Sequence, residues 1–372
     1  MIRRLRDYYR QFEELSPEEI SRELRERRDA ERARELSEVP PLDLASASWY
    51  EPPDAEAVNA ATYALRRAVN TYPDDTPLRE ALARRHGVEP AQVAAGHGAG
   101  ELLHAAFRAI AVRGEVAIAW PGWGPLPKLV HEAGGTPVPV PLAGDGAADL
   151  PALAGAGASA VVLCTPNDPT GAAVDPAALL RLAHDLPRST WLVVDGALAE
   201  FAPDELPQAA LIDARERVLV VRSFSKAHAM AGFRAGVALS GDVELLDRLT
   251  PAGGVSAPAQ AAMLWAATQG DGVVRRRRAT AARERDRLAK ALRGTPFSFD
   301  GGHGHLVWLA SEEHDGATLA RRLAGQRVFV TPGHAWGDER HVRVALRDGA
   351  ATDRLVAALL DASRATHATS GV

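Results

Sequence analysis

Short runs of consecutive apolar, β-prone residues recur along the middle of the chain, and most are separated by helical stretches rich in alanine and leucine. Strands of this kind are buried on both sides, which is typical of a mostly parallel sheet covered by helices on both faces. In such sheets ligands bind beyond the carboxyl ends of the strands. The sequence therefore predicts an α/β fold with a site that follows these runs, which are residues 116–119, 137–140, 160–163, 191–194, 218–221 and 236–239.

The two flanks of this middle part divide the chain into three predicted parts. Residues 1–48 are predicted to form an N-terminal helical arm and an extended segment, and the arm could either stand in solvent or embrace a partner subunit. Residues 49–258 are predicted to form the large domain that carries the site. Residues 259–372 show a strand–helix–strand–strand–helix order, which predicts a smaller α/β domain at the C-terminus.

The composition indicates a globular protein that acts on small molecules. Of its 372 residues 46% are hydrophobic and 24% are charged, and the net charge of −5 offers no basic field to a nucleic acid. The chain has no run of about 18 apolar residues that would span a membrane, and its N-terminus lacks the apolar core of a secretory signal. These features predict a cytoplasmic protein. Cys164 is the only cysteine, which excludes an internal disulfide and a multi-cysteine metal site, so no metal is expected.

One of the three lysines in the chain lies in its most informative segment. Lys226 follows an apolar run, with Ser223 and Ser225 before it and Arg234 eight residues after it. Hydroxyl and guanidinium groups suit a phosphate dianion, and an amine can hold an aldehyde as an imine, whereas arginine stays protonated. Pyridoxal phosphate (PLP) carries both a phosphate and an aldehyde. A surface lysine beside turn-forming serines would give the same pattern.

Three further features fit a PLP site. Asp195 ends the run 191–194, where a carboxylate could face the pyridine nitrogen of PLP and keep the ring protonated; it could also cap the next helix. Asn167 lies in the rigid turn 166–171, where its amide could donate to the ring oxygen of the cofactor or could stabilise the turn itself. The small-residue turn 96–101 opens a helix, and free N–H groups at a helix start bind phosphate.

These features, in this order, resemble the fold type I PLP-dependent enzymes and, among them, the class I and II aminotransferases. The resemblance covers roughly residues 40–362 and rests on Ser-x-Ser-Lys followed by Gly-x-Arg-x-Gly, with Pro-Asn-x-Pro-Thr-Gly and a strand-end aspartate before them. The Tyr-Pro turn at residues 72–73 and the chain length are most similar to the histidinol-phosphate aminotransferase group. The resemblance implies a mostly parallel seven-stranded sheet in the large domain, a smaller α/β C-terminal domain and a homodimer.

The resemblance also implies a role for each site residue in binding the cofactor. Lys226 would carry PLP as an internal aldimine and then move a proton between the substrate and the cofactor, while Asp195 would pair with the pyridine nitrogen. Asn167 would reach the ring oxygen, and Trp123 would stack on the ring. The phosphate would be held by two hydroxyls, a guanidinium and the backbone of a helix start, namely Ser223, Ser225, Arg234, Ala99 and Gly100.

Two more residues would serve the partner subunit and the substrate. By the same resemblance, Tyr72 would reach the phosphate bound in the neighbouring subunit. Arg343 would clamp the substrate α-carboxylate, for which a planar guanidinium is the natural partner. The predicted reaction is the transfer of the amino group of an α-amino acid to a 2-oxo acid.

Two departures from the family pattern bear on the chemistry. The family has tyrosine at the position of Leu198, where its hydroxyl bonds the ring oxygen, so the aldimine is expected to lose one hydrogen bond and its pKa to rise. The histidinol-phosphate aminotransferase group has an arginine for the substrate phosphate at the position of Thr331, which speaks against a phosphorylated substrate.

Three other functions remain open at this point. A decarboxylase, lyase or oxidase of the same fold would use the same cofactor, because PLP activates several bonds at Cα and no motif here decides between them. A cofactor-binding regulatory protein would need a DNA-binding module, and the N-terminal arm is short and balanced in charge. A nicotinamide-dependent dehydrogenase would need the G-x-G-x-x-G fingerprint, which the glycine turn at 96–101 does not match.

Overall fold

The computed structural model describes residues 39–68, 70–110, 114–300 and 302–367, together with Ser16, Glu18, Arg22, Leu24 and Glu26. The predicted N-terminal helical arm therefore lies largely outside the described residues. None of the described helices combines the length and the apolar character needed to cross a membrane.

The first two thirds of the chain alternate strands and helices, as the apolar runs predict. In chain order the elements are β1 (Leu42–Asp43), α1 (Ala55–Ala68), α2 (Thr76–His86), β2 (Val93–Gly96), α3 (Ala99–Ala109), β3 (Glu115–Trp120), α4 (Leu126–Glu132), β4 (Thr136–Pro141), α5 (Leu150–Gly155), β5 (Ala160–Cys164), α6 (Pro176–Asp185), β6 (Trp191–Asp195), α7 (Gln208–Ala214), β7 (Val218–Ser223), β8 (Gly236–Ser240) and α8 (Val243–Leu249).

Seven of these strands form one sheet, in the order β2-β8-β7-β6-β5-β3-β4. Strand β8 runs antiparallel to both of its neighbours, and the other neighbouring pairs are parallel. All residues of β5, β6 and β7 are buried, because helices cover both faces of the sheet. The predicted mostly parallel seven-stranded sheet is confirmed. All six apolar runs are strands, whereas β2 escapes prediction because its sequence, Val-Ala-Ala-Gly, is short and has a single β-branched residue.

The rest of the chain forms helix α9 and then a second sheet with its own core. Its elements are α9 (Ala257–Gln269), α10 (Asp271–Ala291), β9 (Phe297–Phe299), β10 (Leu306–Ser311), α11 (Gly316–Ala324), β11 (Val328–Phe329), β12 (Thr331–Pro332), β13 (His341–Ala345) and α12 (Gly349–His367). Strands β12-β13-β10-β9 form an antiparallel sheet. The predicted strand–helix–strand–strand–helix order is present, although the run at 328–331 is divided between two sheets.

The predicted boundary between residues 258 and 259 falls inside helix α9. Buried residues of this helix, such as Ala262 and Met263, belong to the same apolar core as Leu78 and Leu82 of α2. Helix α9 therefore packs with the large sheet, because its apolar surface is buried there, and the smaller unit begins after it.

The segment before α1 is attached to the C-terminal part of the chain. Strand β1 pairs in parallel with β11, with Leu42 opposite Val328. The amide of Ala345 also donates to the carbonyl oxygen of Leu44 at 2.8 Å. The segment predicted to be extended is thus held against the smaller sheet, and from there the chain continues into the large one.

Candidate active site

A cavity of about 210 Å³ lies at the carboxyl ends of strands β5, β6 and β7. The three strands end there with Cys164, Asp195 and Ser223, all of which line the cavity. Eight of the eleven predicted site residues line it together, namely Ala99, Gly100, Trp123, Asp195, Ser223, Ser225, Lys226 and Arg234. The parallel strands bring together residues that are far apart in sequence, as the carboxyl-end rule predicts.

Lys226 lies in the loop after β7, and its side chain faces the cavity. Burial lowers the pKa of its amine below the ordinary lysine value, the carboxylate of Asp168 raises it, and the guanidinium of Arg343 lowers it. The net effect is a lowered pKa, because the loss of hydration destabilises the ammonium ion more than the nearby carboxylates stabilise it. An amine of this kind gives up its proton more readily than a lysine in water, which is what a nucleophile or a base needs.

Asp195 ends β6 and is buried, with an exposed fraction of 5%. Its Oδ1 accepts a hydrogen bond from the amide of Ala197 at 2.9 Å, and the Sγ of Cys164 lies 3.6 Å from its Oδ2. Burial raises the pKa of the Asp195 carboxyl above its ordinary value. A cation placed in the cavity against this carboxyl would stabilise its ionised form.

The start of helix α3 and Arg234 together make an electropositive corner of the cavity. Gly98 precedes the helix with φ +98, and a Cβ built on it would lie 2.8 Å from Nη2 of Arg234. The guanidinium therefore lies beside the free N–H groups of the helix start, where the helix dipole is also positive. Arg234 forms no ion pair with a residue that the structure describes, and its Nη1 donates only to the carbonyl of Ala231, at 3.0 Å. The guanidinium and the positive end of the helix dipole together favour the binding of an anion in this corner.

Two serines and a tryptophan complete the walls of this corner. The Oγ of Ser223 accepts a hydrogen bond from the amide of Ser225 at 3.1 Å, and both residues line the cavity. A Cβ built on Gly100 would lie 2.8 Å from Cη2 of Trp123, so the indole packs directly on the helix start. The tryptophan thus forms the wall on which a flat ring could stack.

Asn167 is buried in the turn that follows strand β5. It does not line the cavity, and its Nδ2 donates to the carbonyl of Pro121 at 3.0 Å and to Oγ1 of Thr170 at 3.1 Å. One donor hydrogen thus joins the turn to the loop after β3, and the other bonds within the turn. The next residue, Asp168, lines the cavity instead. The role of Asn167 as a cofactor ligand stays a prediction, and its buried Oδ1 has no hydrogen-bond partner among the described residues.

Arg343 lies next to the cavity but is not part of its lining. Its Nη1 donates to Oδ1 of Asp168 at 2.8 Å, and its Nη2 donates to the carbonyl of Ala45 at 2.7 Å. Arg343, the residue predicted to bind the substrate carboxylate, is therefore already paired with the carboxylate of Asp168.

Leu198 and Tyr72 occupy opposite environments. Leu198 is buried and lines the cavity, so the side chain that replaces the family tyrosine does face the site. Tyr72 is 90% exposed and does not line the cavity of its own chain.

The sequence reasoning missed Ser48 and Asp168, which both line the cavity. Ser48 comes from the segment between β1 and α1, and no local pattern distinguishes it from the serine before it. Asp168 stands inside the quoted turn motif, so its carboxylate next to Asn167 was a signal that could have been used.

Comparison with known proteins identifies the family. The sequence model for the class I and II aminotransferases matches residues 42–359. The chain belongs to this family. An aromatic amino acid aminotransferase of Mycobacterium sp. (strain KMS) is 34% identical over 297 residues, which cover 74% of this chain and 81% of the relative.

Solved structures of the family agree with this assignment. A histidinol-phosphate aminotransferase of Sinorhizobium meliloti, in complex with pyridoxal 5'-phosphate, matches with a TM-score of 0.79 and 27% identity, over 91% of this chain and 95% of the other. An aspartate aminotransferase of Thermus thermophilus with maleate matches with a TM-score of 0.76 and 26% identity, over 89% of this chain and 95% of the other. The fold is that of the fold type I enzymes, and the chain is a PLP-dependent aminotransferase that acts on amino acids.

The residues around the cavity of this aminotransferase fit PLP at three of its four functional groups. The positive corner at Arg234 suits the phosphate, the buried carboxylate of Asp195 suits the pyridine nitrogen, and the amine of Lys226 suits the aldehyde. The ring oxygen is the exception. Leu198 has no polar group, and the amide of Asn167 donates elsewhere.

Proposed function

We propose that this aminotransferase binds PLP through Lys226 and uses it to exchange the amino group between an aromatic α-amino acid and a 2-oxo acid. The observation that carries the proposal is that the amine of Lys226, the carboxylate of Asp195 and the positive corner at Arg234 line the same cavity. These groups match the aldehyde, the ring nitrogen and the phosphate of one molecule, so each assignment supports the others.

The role of Lys226 follows from its lowered pKa. When bound, PLP withdraws electrons from the carbon that carries the substrate amine, so that the proton on this carbon becomes acidic. A neutral Nζ of Lys226 can accept that proton, and the protonated Nζ can return it. Burial favours the neutral form of this amine, which supports its use as the base.

Asp195 and the start of α3 hold the cofactor rather than move protons. The carboxylate of Asp195 would keep the pyridine nitrogen protonated, because a buried anion stabilises a facing cation. Ser223, Ser225 and Arg234 would bind the phosphate together with the backbone of Ala99 and Gly100 at the helix start. Trp123 would fix the plane of the ring.

An aromatic amino donor is supported by the curated relatives, several of which are aromatic amino acid aminotransferases. Leu103 and Leu198 add apolar surface to the same cavity, which suits an apolar side chain. Thr331 stands where a substrate phosphate would require a cation, which speaks against histidinol phosphate. Arg343 would bind the substrate carboxylate.

A homodimer is supported by exposed apolar side chains near the start of the large domain. Tyr63 is 64% exposed and Leu65 is 50% exposed on helix α1, and Tyr72 follows this helix. An isolated chain in water seldom keeps several large apolar side chains exposed close together. A second copy would cover them, and Tyr72 would then reach the phosphate bound in the neighbouring subunit. A cytoplasmic location remains a prediction from the sequence.

Borohydride reduction tests the attachment of the cofactor. The holoenzyme is expected to absorb visible light, to lose this absorbance on reduction, and to carry the pyridoxyl mass on the peptide that contains Lys226. A Lys226→Ala variant should not acquire the mass. Labelling of Lys128 or Lys290 instead would refute the assignment.

Single-turnover measurements test the reaction and its substrate. L-phenylalanine and L-tyrosine are expected to convert the bound cofactor to its amine form, and phenylpyruvate to convert it back. Conversion by L-aspartate but not by either aromatic amino acid would refute the aromatic assignment.

Sedimentation tests the dimer and the role of Tyr72. A dimer mass is expected, and Tyr72→Phe should weaken the retention of PLP during dialysis while leaving the mass unchanged. A monomer with undiminished PLP retention would refute both parts.

A further inference from the structure

The arginine assigned to the substrate carboxylate is already neutralised by a carboxylate of the same chain. Arg343 Nη1 lies 2.8 Å from Asp168 Oδ1, and the exposed fractions of the two side chains are 13% and 9%. A buried, hydrogen-bonded ion pair of this kind is much less screened by water than a surface pair. A substrate carboxylate would therefore not meet an uncompensated cation.

The guanidinium of Arg343 is also held from its other sides. Its Nη2 donates to the carbonyl of Ala45 at 2.7 Å and lies 3.4 Å from Oγ1 of Thr331. The ring of Trp336 stacks over it, with 5.1 Å between the guanidinium carbon and the ring centroid. These contacts hold the arginine beside Asp168.

Asp168 stands on the cavity side of this pair. Asp168 lines the cavity together with Lys226, whereas Arg343 does not. The backbone around Asp168 is fixed, because the amide of Gly171 donates to the carbonyl of Asn167 at 2.8 Å and the amide of Asn167 donates to the carbonyl of Ala172 at 2.7 Å. An α-carboxylate that approaches Arg343 must displace the Asp168 side chain or lie beside it, and two carboxylates side by side repel each other.

We propose that Asp168 is a specificity-determining residue, which occupies Arg343 and thereby removes most of the preference for a substrate α-carboxylate. The proposal rests on the proposed function, since it takes Arg343 as the carboxylate site. It implies that amines without a carboxylate, such as arylalkyl amines and amino alcohols, compete well with α-amino acids in this site. The affinity for an amino acid is then set by the competition between two carboxylates for one guanidinium.

Binding of two unreactive probes to the holoenzyme tests this without turnover. 3-Phenylpropionate carries an aromatic ring and a carboxylate, and 3-phenylpropan-1-ol is the matching neutral alcohol. Calorimetric titration gives their dissociation constants for the wild type and for Asp168→Asn. In the wild type we expect the two constants to agree within about threefold. In Asp168→Asn the carboxylate should bind at least about tenfold more tightly, while the alcohol changes by less than about twofold, because removal of one like charge frees a charge-assisted hydrogen bond.

Two control variants separate the possible causes. Asp204→Asn makes the same chemical change at an exposed residue and should leave both constants unchanged. Asp168→Asn combined with Arg343→Gln should lose the gained affinity for the carboxylate. If the gain persists in the double variant, Arg343 is not the carboxylate site, and the assignment in the proposed function fails.

Other results would overturn the proposal about Asp168 itself. One is a wild-type enzyme that binds 3-phenylpropionate more than about threefold more tightly than the alcohol, a measurement that requires no variant. Another is a carboxylate affinity that rises less than about tenfold in Asp168→Asn. The proposal would also be overturned if 3-phenylpropionate bound neither to the wild type nor to Asp168→Asn. Removing the charge of Asp168 would then have exposed no carboxylate site.

Discussion

The buried histidine His305 should make the stability of the protein depend on pH. His305 is 1% exposed, its Nε2 lies 2.9 Å from the carbonyl oxygen of Ala47, and its ring packs on Phe201 with 4.7 Å between centroids. Burial, together with the charge of Lys226, lowers the pKa of His305 from 6.5 to about 3. The folded state therefore keeps His305 neutral at a pH where an unfolded chain would protonate it.

The sign and size of the effect follow from this pKa. Because the pKa is lower in the folded state, the stability is complete above the unfolded pKa of 6.5 and is lost as the pH falls towards 3. Lowering the pH from 7 to 5 should cost about 2 kcal/mol of unfolding free energy for this one histidine. His305→Gln removes the titrating group but retains a donor for the carbonyl of Ala47.

Urea unfolding of the holoenzyme at the two pH values measures the effect. We expect the loss of unfolding free energy between pH 7 and pH 5 to be about 2 kcal/mol smaller in His305→Gln than in the wild type. Other groups that titrate in this range cancel in the difference between the two proteins. His184→Gln is the control, since the His184 side chain is 88% exposed and contacts water in both states. A pH dependence equal in His305→Gln and wild type, within about 0.5 kcal/mol, would refute the reasoning.

Two further predictions concern the cofactor. Leu198→Tyr should lower the pKa of the visible transition of bound PLP by about one unit, because the new hydroxyl can donate to the ring oxygen. Leu198→Phe is the control and should leave this pKa unchanged. Equal titrations of the two variants would show that position 198 does not face the ring oxygen. Gly236→Ala should weaken PLP retention, because its Cβ would lie 2.6 Å from the amide nitrogen of Ala99 at the phosphate site. Gly232→Ala is its control, with no atom within 4 Å of the added Cβ. Equal dialysis losses in the two glycine variants would contradict the second prediction.

The sequence was sufficient for six of the seven strands of the large sheet and for most of the cavity, for a physical reason. Strands buried on both sides must be continuously apolar, so the runs were visible without any tertiary information. The carboxyl-end rule then pointed to the residues directly after them, which include Asp195 and Lys226. The short strand β9 was missed, because three residues show too little periodicity to be detected.

The sequence was not sufficient for contacts between distant segments. Whether Asn167 or Asp168 faces the cavity depends on the carbonyl of Pro121, which lies 46 positions earlier in the chain. The pair between Arg343 and Asp168 joins residues 175 positions apart, and no local pattern reports such a pair. The predicted domain boundary falls inside α9, because tertiary packing decides which core a helix joins.

The pairing of β1 with β11 determines when the active site can be completed during synthesis. Strand β1 emerges from the ribosome early, but its partner at Val328–Phe329 emerges only near the end of the chain. Ser48, which lies just after β1, is therefore not fixed against the cavity until strand β11 has been made. A nascent chain that already carries Lys226, Asp195 and Arg234 still lacks this wall until Val328 and Phe329 have been made.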